Sequence, residues 1–341
     1  MPARACAWRP LSMYCGREFI AGVGAKGRHP LPPSPCLLPP TLAGNTSPRE
    51  SGPWSAFLRS PAAWEGGTGG MPGDLVPAPS LHQASTALGL DFGSRYVKLV
   101  YCQAGRFTRR RLDSLDFYRD FLDTSQGRLQ IDWERLDLPR PEALVVTGYG
   151  KELLKDLGPT ITEIRAIFLG ARFLTGWDHF ILLEMGGQDT KVLYIRDGRV
   201  FDFVTNDRCA AGTGRYLENM ARFLKIPLRD FSGYWQDPVR ISQTCAIFGE
   251  SELIGQLLEG VPLARLAAGV NASVSRRALT MMRRYACPRL VFVGGVARNR
   301  AVIHFLEEGS ACQVVVPPHP QYTGALGCCR EALKILESSA S

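Results

Sequence analysis

Residues 179–205 read HFILLEMGGQDTKVLYIRDGRVFDFVT, and this stretch decides the fold. It contains three apolar segments, separated by a Gly-Gly turn and an Asp-Gly turn, at residues 179–185, 191–196 and 200–205. Apolar and polar residues that alternate between turn signals are typical of β-strands. The stretch therefore predicts a three-stranded meander.

The same arrangement occurs earlier, where residues 88–112 read LGLDFGSRYVKLVYCQAGRFTRRRL. The strands predicted there are residues 88–91, 96–102 and 107–112. One further strand and two helices are predicted to complete this half of the chain, at residues 143–147, 152–157 and 163–174. One three-stranded unit thus occurs twice, about ninety residues apart, and duplication is the simplest interpretation.

Each meander has a glycine turn directly after its first strand. The two turns are Asp91-Phe92-Gly93-Ser94 and Glu184-Met185-Gly186-Gly187-Gln188-Asp189. Glycines let backbone amides approach phosphate oxygens, and a nearby carboxylate can hold magnesium directly or through water. Ordinary hairpin turns also favour Asp and Gly, so either turn alone is a weak indicator. The matched pair in a duplicated frame favours phosphate binding.

A third glycine segment follows an apolar strand at residues 290–293, where Gly294-Gly295 precedes a predicted helix through Phe305. A strand that ends in two glycines lets a ribose or a flat ring lie against the backbone. An α/β turn without a ligand has the same pattern, and that alternative stays open.

Together, the three glycine segments resemble the phosphate-1, phosphate-2 and adenosine motifs of the acetate kinase, sugar kinase, heat-shock 70 and actin superfamily. The resemblance implies an α/β fold of duplicated ribonuclease H-like units, with two lobes and ATP or ADP in the cleft between them. The first lobe is expected at residues 86–176 and the second at 177–336, unless the helix at 322–336 returns to the first. Lys98 is expected beside the first phosphate loop, with a solvent-exposed strand lysine as the alternative.

Two cysteines follow the second meander. Cys209 lies in residues 206–218, NDRCAAGTGRYLE, which lead into a predicted helix, and Cys245 comes thirty-six residues later at another predicted helix start. Small residues before a helix let its first amides face an anion. A cubane iron–sulfur cluster needs four thiolates, so two cysteines suffice only if a symmetric dimer supplies the other two.

These segments resemble the BadF, BadG, BcrA and BcrD ATPase family, and within it the activators of 2-hydroxyacyl-CoA dehydratases. The matching runs are CAAGTGRYLE from Cys209, CAIFGESE from Cys245, VGGVARN from Val293 and GALG from Gly324. The resemblance covers residues 88–336 and implies a homodimer that holds one 4Fe-4S cluster on Cys209 and Cys245 of each subunit. It further implies that ATP hydrolysis drives an electron from ferredoxin or flavodoxin to a dehydratase or a benzoyl-CoA reductase-type partner.

The resemblance also implies roles for individual residues. Asp91 and Asp189 are expected to position magnesium and water, and Gln188 is a second candidate for orienting the attacking water. Phosphate contacts are expected from Gly93, Ser94, Gly186, Gly187, Gly212, Thr213 and Gly214, and adenosine contacts from Gly294, Gly295 and Asn299. Five cysteines match no ligand position and are expected to be packing residues: Cys102, Cys287, Cys312, Cys328 and Cys329.

Two positions depart from the family pattern. Glu184 stands where an Asp usually opens the second phosphate loop, and its longer side chain can shift the metal or change the hydrolysis rate. Ile167 stands where many members have a His. Neither departure falls on an expected cluster ligand, so both bear on turnover and on the identity of the partner.

The composition of the chain bears on its domain count, its ordered region and its location in the cell. The chain has 341 residues, is 45% hydrophobic and carries a net charge of +8, which suits one large domain or two ordinary ones. Residues 1–85 hold fourteen of the 24 prolines, so they are expected to lack a fold or to precede a true start at Met71. A cytoplasmic protein is predicted, without a membrane or nucleic-acid partner, because there is no bilayer-length apolar stretch, no secretory signal and only scattered basic residues.

Two other functions remain open from the sequence. A small-molecule kinase of the same superfamily would use Asp189 as the base for a substrate hydroxyl and would have no use for Cys209 or Cys245. A non-catalytic nucleotide switch would bind ATP without a cluster or a phosphorylated product.

Overall fold

The computed structural model describes residues 86–124, 127–149, 154–206, 212–242 and 246–339, without the side chains of 246–248. The predictions made for residues 1–85, and those for Cys209 and Cys245, lie outside these ranges. Among the helices of the described ranges, none combines the length and the apolar character that crossing a membrane requires.

The strands of the described ranges, in chain order, are β1 (Thr86–Phe92), β2 (Tyr96–Gln103), β3 (Arg106–Asp113), β4 (Leu122–Asp123), β5 (Gln130–Ile131), β6 (Ala143–Gly148), β7 (Phe180–Met185), β8 (Thr190–Arg196), β9 (Arg199–Thr205), β10 (Arg289–Val293) and β11 (Gln313–Val315). The α-helices are α1 (Ser114–Asp120), α2 (Trp133–Leu136), α3 (Glu163–Thr175), α4 (Gly214–Phe223), α5 (Leu228–Phe231), α6 (Ala246–Leu258), α7 (Leu263–Met282), α8 (Arg300–Gly309) and α9 (Thr323–Ser339).

Two sheets repeat one plan. The first has the order β3-β2-β1-β6, and the second has the order β11-β10-β7-β8-β9. In each, an antiparallel meander is followed by a parallel strand beside the first meander strand, β6 on β1 and β10 on β7. The repeated meander predicted from the sequence is therefore present in both halves, with strand ends within two residues of those expected.

The turn between the second and third meander strands is also repeated. Ala104 and Gly105 have φ angles of +50° and +74°, and Asp197 and Gly198 have φ angles of +52° and +67°. Two successive residues with positive φ form a type I′ turn, whose twist matches that of the flanking strands. The two hairpins therefore begin from the same type of turn, although the pairing of β8 with β9 shifts register between Tyr194 and Ile195.

Helices α3 and α9 pack against each other between the sheets. Ala166 of α3 and Ala325 and Leu326 of α9 share a buried cluster with β1, β2 and β6. Other α3 residues, Ile167 and Phe168 among them, are buried against β7, β8 and β10. A Cβ at Gly327 would overlap the Ala166 carbonyl, so glycine is what allows the two helices to approach so closely. Helix α3 therefore contributes to the cores of both sheets.

Two predicted helices differ from the structure. Residues 152 and 153 of the helix predicted at 152–157 lie outside the described ranges, and Leu154 is followed by a turn. The helix expected directly after Gly294-Gly295 is a 3-10 turn, Val296–Arg298, before α8 begins. Asn299 ends that turn and caps α8, because its side chain accepts the Val302 amide.

Candidate functional site

Each meander places a lysine opposite an acid at the end of its first strand. Asp91 pairs with Lys98 across β1 and β2, and Glu184 pairs with Lys191 across β7 and β8. The Lys98 Nζ donates to Asp91 Oδ2 at 2.9 Å, and the Lys191 Nζ donates to Glu184 Oε2 at 3.2 Å. The two halves therefore carry the same acid–lysine pair at the same position of the duplicated unit.

Lys191 was not predicted as a site residue, yet it forms ion pairs with three carboxylates. Its Nζ lies 2.7 Å from Asp189 Oδ2, 3.0 Å from Glu163 Oε2 and 3.2 Å from Glu184 Oε2. Burial opposes its charge, but these three carboxylates outweigh burial and hold the pKa of Lys191 above the usual lysine value. Its side chain is only 9% exposed, so the ammonium is held inside the protein.

Lys98 faces the same acidic group from the first lobe. Burial opposes the charge on Lys98, but Asp91 and then the charges of Glu184 and Glu163 raise its pKa above the usual value. Because Lys98 lies on β2 and Glu184 on β7, the acid–lysine pairs of the two lobes influence each other. Asp91, Lys98 and Asp189 are thus brought into one electrostatic environment.

The two glycine turns face each other. The Gly93 amide donates to Tyr96 O at 3.2 Å, and the Gly186 amide donates to Asp189 O at 2.9 Å, so both turns close in the same way. Ser94 Oγ lies 3.6 Å from the position that a Cβ on Gly187 would take. Gln188 lies in the turn between β7 and β8. The structure therefore brings the two predicted phosphate turns, one from each lobe, close to each other.

The start of α4 docks on the second turn. The amides of Gly214 and Arg215 donate to the carbonyls of Gly186 and Gly187, both at 2.9 Å. These two amides are therefore engaged with the loop, whereas the sequence led us to expect the first helical amides to face an anion. Thr213 is buried at the helix start. Gly212 has a φ of +83° and accepts a hydrogen bond from Thr190 Oγ1 at 3.2 Å.

Two glycines end the parallel strands at equivalent points. Gly148 ends β6 with a φ of +114° beside Phe92, and Gly294 follows β10 with a φ of +92° beside Met185. A Cβ on either glycine would overlap the neighbouring strand's backbone, so glycine is required at both. Gly148 was not predicted, since a glycine at a strand end has no motif of its own.

The adenosine candidates divide into exposed and buried residues. Gly295 is exposed, and no described atom beyond its chain neighbours lies within 4 Å of where its Cβ would stand. Asn299 is only 7% exposed, and its Nδ2 donates to Asn271 Oδ1 at 2.9 Å while its Oδ1 caps α8. Gly295 therefore leaves room for a ligand, whereas both polar groups of the Asn299 side chain are engaged within the protein.

The surroundings of Asp91 bear on the two departures from the family pattern. A Cβ on Gly324, in the first turn of α9, would lie 3.1 Å from Asp91 Oδ2 and 3.7 Å from Ile167 Cγ2. Asp91 therefore lies beside the N-terminal turn of α9. Ile167 packs in this position as a buried apolar residue. Glu184, which stands where the family usually has an Asp, accepts a hydrogen bond from the Lys191 Nζ.

The described cysteines are placed in the interior or at its edge. Cys102, Cys328 and Cys329 are buried, and Cys287 and Cys312 are half-buried. Burial raises the pKa of the Cys328 and Cys329 thiols well above the usual value, which keeps them protonated and unreactive. Cys209 and Cys245 lie outside the described ranges, but the helices that follow them adjoin: Tyr216 Oη in α4 lies 3.4 Å from a Cβ position on Gly249 in α6.

Comparison with known proteins identifies relatives of this chain. Residues 133–332 match the profile of the BadF/BadG/BcrA/BcrD ATPase family. The activator of lactoyl-CoA dehydratase from Anaerotignum propionicum is 40% identical over 188 residues, which are 54% of this chain and 72% of that protein.

Two solved structures share the fold. The activator of the 2-hydroxyisocaproyl-CoA dehydratase from Clostridium difficile, with bound ADPNP, has a TM-score of 0.65 and 32% identity, and the match covers 75% of this chain and 97% of that one. Component A of the (R)-2-hydroxyglutaryl-CoA dehydratase from Acidaminococcus fermentans has a TM-score of 0.65 and 30% identity, covering 74% and 100%. The predicted fold class, a two-lobed actin-like α/β ATPase fold, is confirmed.

Proposed function

The chain belongs to the BadF/BadG/BcrA/BcrD ATPase family, as its motifs predict, and from this premise we propose that it is an ATP-dependent activator of an acyl-CoA dehydratase or a related acyl-CoA reductase. The observation that carries the proposal is the pair of facing glycine turns, each beside its own acid–lysine pair. One relative with the same fold is named as a dehydratase activator and has ADPNP bound, and the other is named as component A of a dehydratase.

The cleft suits a nucleotide with its metal. Gly93, Ser94, Gly186 and Gly187 would contact the phosphates, and the open face of Gly295 would accept the adenosine. Asp91 and Asp189 fit a magnesium ion, since their side chains are 16% and 33% exposed at the cleft and such ions are bound through one or two carboxylates plus phosphate oxygens. The metal would supply charge neutralisation for the phosphates when bound.

A water molecule must reach the terminal phosphate for hydrolysis. We assign its positioning to Asp189, with Gln188 as the second candidate, because both lie in the turn between β7 and β8. Lys98 would balance charge on the phosphates from the first lobe, since it is held at the cleft by Asp91. These roles use general electrostatic positioning and need no covalent intermediate.

The redox part of the proposal rests on Cys209 and Cys245. We propose that each subunit of a homodimer supplies these two thiolates to one shared 4Fe-4S cluster, which when bound would supply a one-electron carrier. The contact between the first turns of α4 and α6 supports this, because the two helices follow the two cysteines in sequence. Ferredoxin or flavodoxin would be the donor, and the acyl-CoA dehydratase or reductase would be the acceptor.

Closure of the two lobes on ATP would alter the surroundings of the two cysteines through α4. The amides of Gly214 and Arg215 tie this helix to the second phosphate loop, so a movement of that loop is passed directly to the helix. Hydrogen bonding and solvent exposure are known influences on the potential of iron–sulfur centres. ATP turnover would in this way be coupled to electron delivery.

Anaerobic reconstitution with iron and sulfide tests the proposal. The wild-type dimer should be brown, bind about four irons per two chains and hydrolyse ATP. Cys209→Ala and Cys245→Ala should be colourless and retain nucleotide binding, while Cys312→Ala, at a half-buried packing residue, should stay brown. A colourless wild-type protein that phosphorylates a small molecule would instead support the kinase alternative.

A further inference from the structure

The three carboxylates beside the second phosphate loop surround a lysine of the same chain. Glu163, Glu184 and Asp189 all lie within 3.2 Å of the Lys191 Nζ. In the described part of the chain, no three acidic, thiol or imidazole groups are already arranged to hold a metal ion. The acids are thus organised around an ammonium group, and the ammonium occupies the space between them.

The three carboxylates differ in their access to solvent. The side chain of Glu184 is 14% exposed, whereas those of Glu163 and Asp189 are 30% and 33% exposed. Glu184 is also fixed by its cross-strand pairing with Lys191. Asp189 lies in the loop before β8, so it is the partner best able to leave the lysine without disturbing the sheet.

The first lobe provides a comparison for the same position. Among the residues that the structure describes, Lys98 there forms an ion pair with one carboxylate, that of Asp91, at 2.9 Å. In the second lobe the equivalent lysine has three, because Glu163 from α3 and Asp189 from the loop join Glu184. The second acid–lysine pair therefore holds an excess of negative charge that the first does not.

We propose that Lys191 is a positioning residue that serves as the internal counter-ion of the site, holding Asp189 away from a divalent cation until nucleotide brings the metal. This inference rests on the proposed function in one respect, which is that binding of the metal nucleotide releases Asp189 from Lys191. An ammonium and a divalent cation compete for the same carboxylate oxygens, and the bound lysine makes metal binding without nucleotide unfavourable. When a metal nucleotide arrives, Asp189 turns to the metal while Lys191 stays on Glu184 and Glu163.

Binding of Mn²⁺ in the absence of nucleotide tests the inference, since Mn²⁺ takes the same oxygen ligands as Mg²⁺ and free Mn²⁺ is measured by its paramagnetic resonance signal. The wild-type protein should bind Mn²⁺ weakly alone and at least about tenfold more tightly with ADP. Lys191→Gln should bind Mn²⁺ alone about tenfold more tightly than wild type, and Lys191→Arg should resemble wild type. The double variant Lys191→Gln, Glu163→Gln should lose most of that gain.

Lys334→Gln is the matched control, because it removes one positive charge from an exposed position on α9 and should leave Mn²⁺ binding unchanged. Equal Mn²⁺ affinity in Lys191→Gln and wild type would overturn the inference. So would tight Mn²⁺ binding by nucleotide-free wild type, a measurement that does not depend on any variant folding. Failure of wild type to bind ADP at all would instead count against the proposed function. The Mn²⁺ affinities of wild type and Lys191→Gln without nucleotide would still test the role of Lys191.

Discussion

Replacing Asn271 with alanine is expected to destabilise the second lobe strongly. Asn271 lies on α7, is fully buried and makes three side-chain hydrogen bonds. Its Nδ2 donates to Phe231 O at 2.9 Å and to Tyr234 O at 3.0 Å, and its Oδ1 accepts from Asn299 Nδ2 at 2.9 Å. The side chain thus joins α7 to the α5 region and to the cap of α8.

The magnitude follows from these contacts. Each net hydrogen bond contributes about 1 kcal/mol, and a buried polar group left without a partner costs about 1–3 kcal/mol. Truncation removes three bonds and leaves the Asn299 amide group without its acceptor. The expected loss is about 4–6 kcal/mol of unfolding free energy, a large part of the 5–15 kcal/mol typical of a domain.

Urea denaturation followed by circular dichroism measures this loss. Asn219→Ala, at an exposed position on α4, is the control and should change stability by less than about 0.5 kcal/mol. Asn299→Ala should also destabilise the protein, and the double variant should lose less than the sum, since the two residues share one hydrogen bond. A loss below about 1 kcal/mol for Asn271→Ala would refute the structural role assigned to the three Asn271 hydrogen bonds.

Three further outcomes are expected. Gly148→Ala should lower the free energy of unfolding in urea by about 2 kcal/mol or more, because the φ of Gly148 is +114° and a Cβ there would overlap the Phe92 backbone. Gly127→Ala is the control and should lower it less, because the φ of Gly127 is +72° and no described atom beyond its chain neighbours lies within 4 Å of its Cβ position. Burial and two nearby arginines lower the pKa of His319 from 6.5 to about 4, so the free energy of unfolding should fall as the pH drops from 6.5 towards 4. His319→Asn should show a smaller fall in the free energy of unfolding between pH 7 and pH 5. Equal dependence on pH in the two proteins would contradict this. Asp189→Asn should lower steady-state ATP hydrolysis about a hundredfold with an unchanged urea midpoint, and wild-type turnover would remove Asp189 from the proposed mechanism.

The sequence predicted the repeated meanders because their alternation and turn residues are local signals. Lys98 was identified from its place after the first loop, but Lys191, its equivalent, became evident only from the register that sets it opposite Glu184. Glu163 was missed for a different reason: it approaches the loop through the placement of α3, which local sequence does not encode.

Two glycines and one asparagine also show that local sequence does not encode contacts that depend on tertiary packing. Gly294 belongs to a recognisable motif, whereas its counterpart Gly148 is an isolated glycine that is required because the Phe92 backbone of β1 lies so close to it. Asn299 was assigned to the adenosine by its motif, and its side chain is used in a network with Asn271 that depends on helix packing. The roles of Cys209 and Cys245 remain predictions from the family resemblance.

The placement of α9 has a consequence for biosynthesis. This helix covers β1 and β6, yet the ribosome makes it after every strand of both sheets. Strands β1 and β6 must therefore wait, with one apolar face uncovered, until α9 has been translated. A nascent chain arrested before Thr323 should present that face to chaperones, whereas the later-made sheet, which is largely covered by α4, α7 and α8, can reach its native packing first.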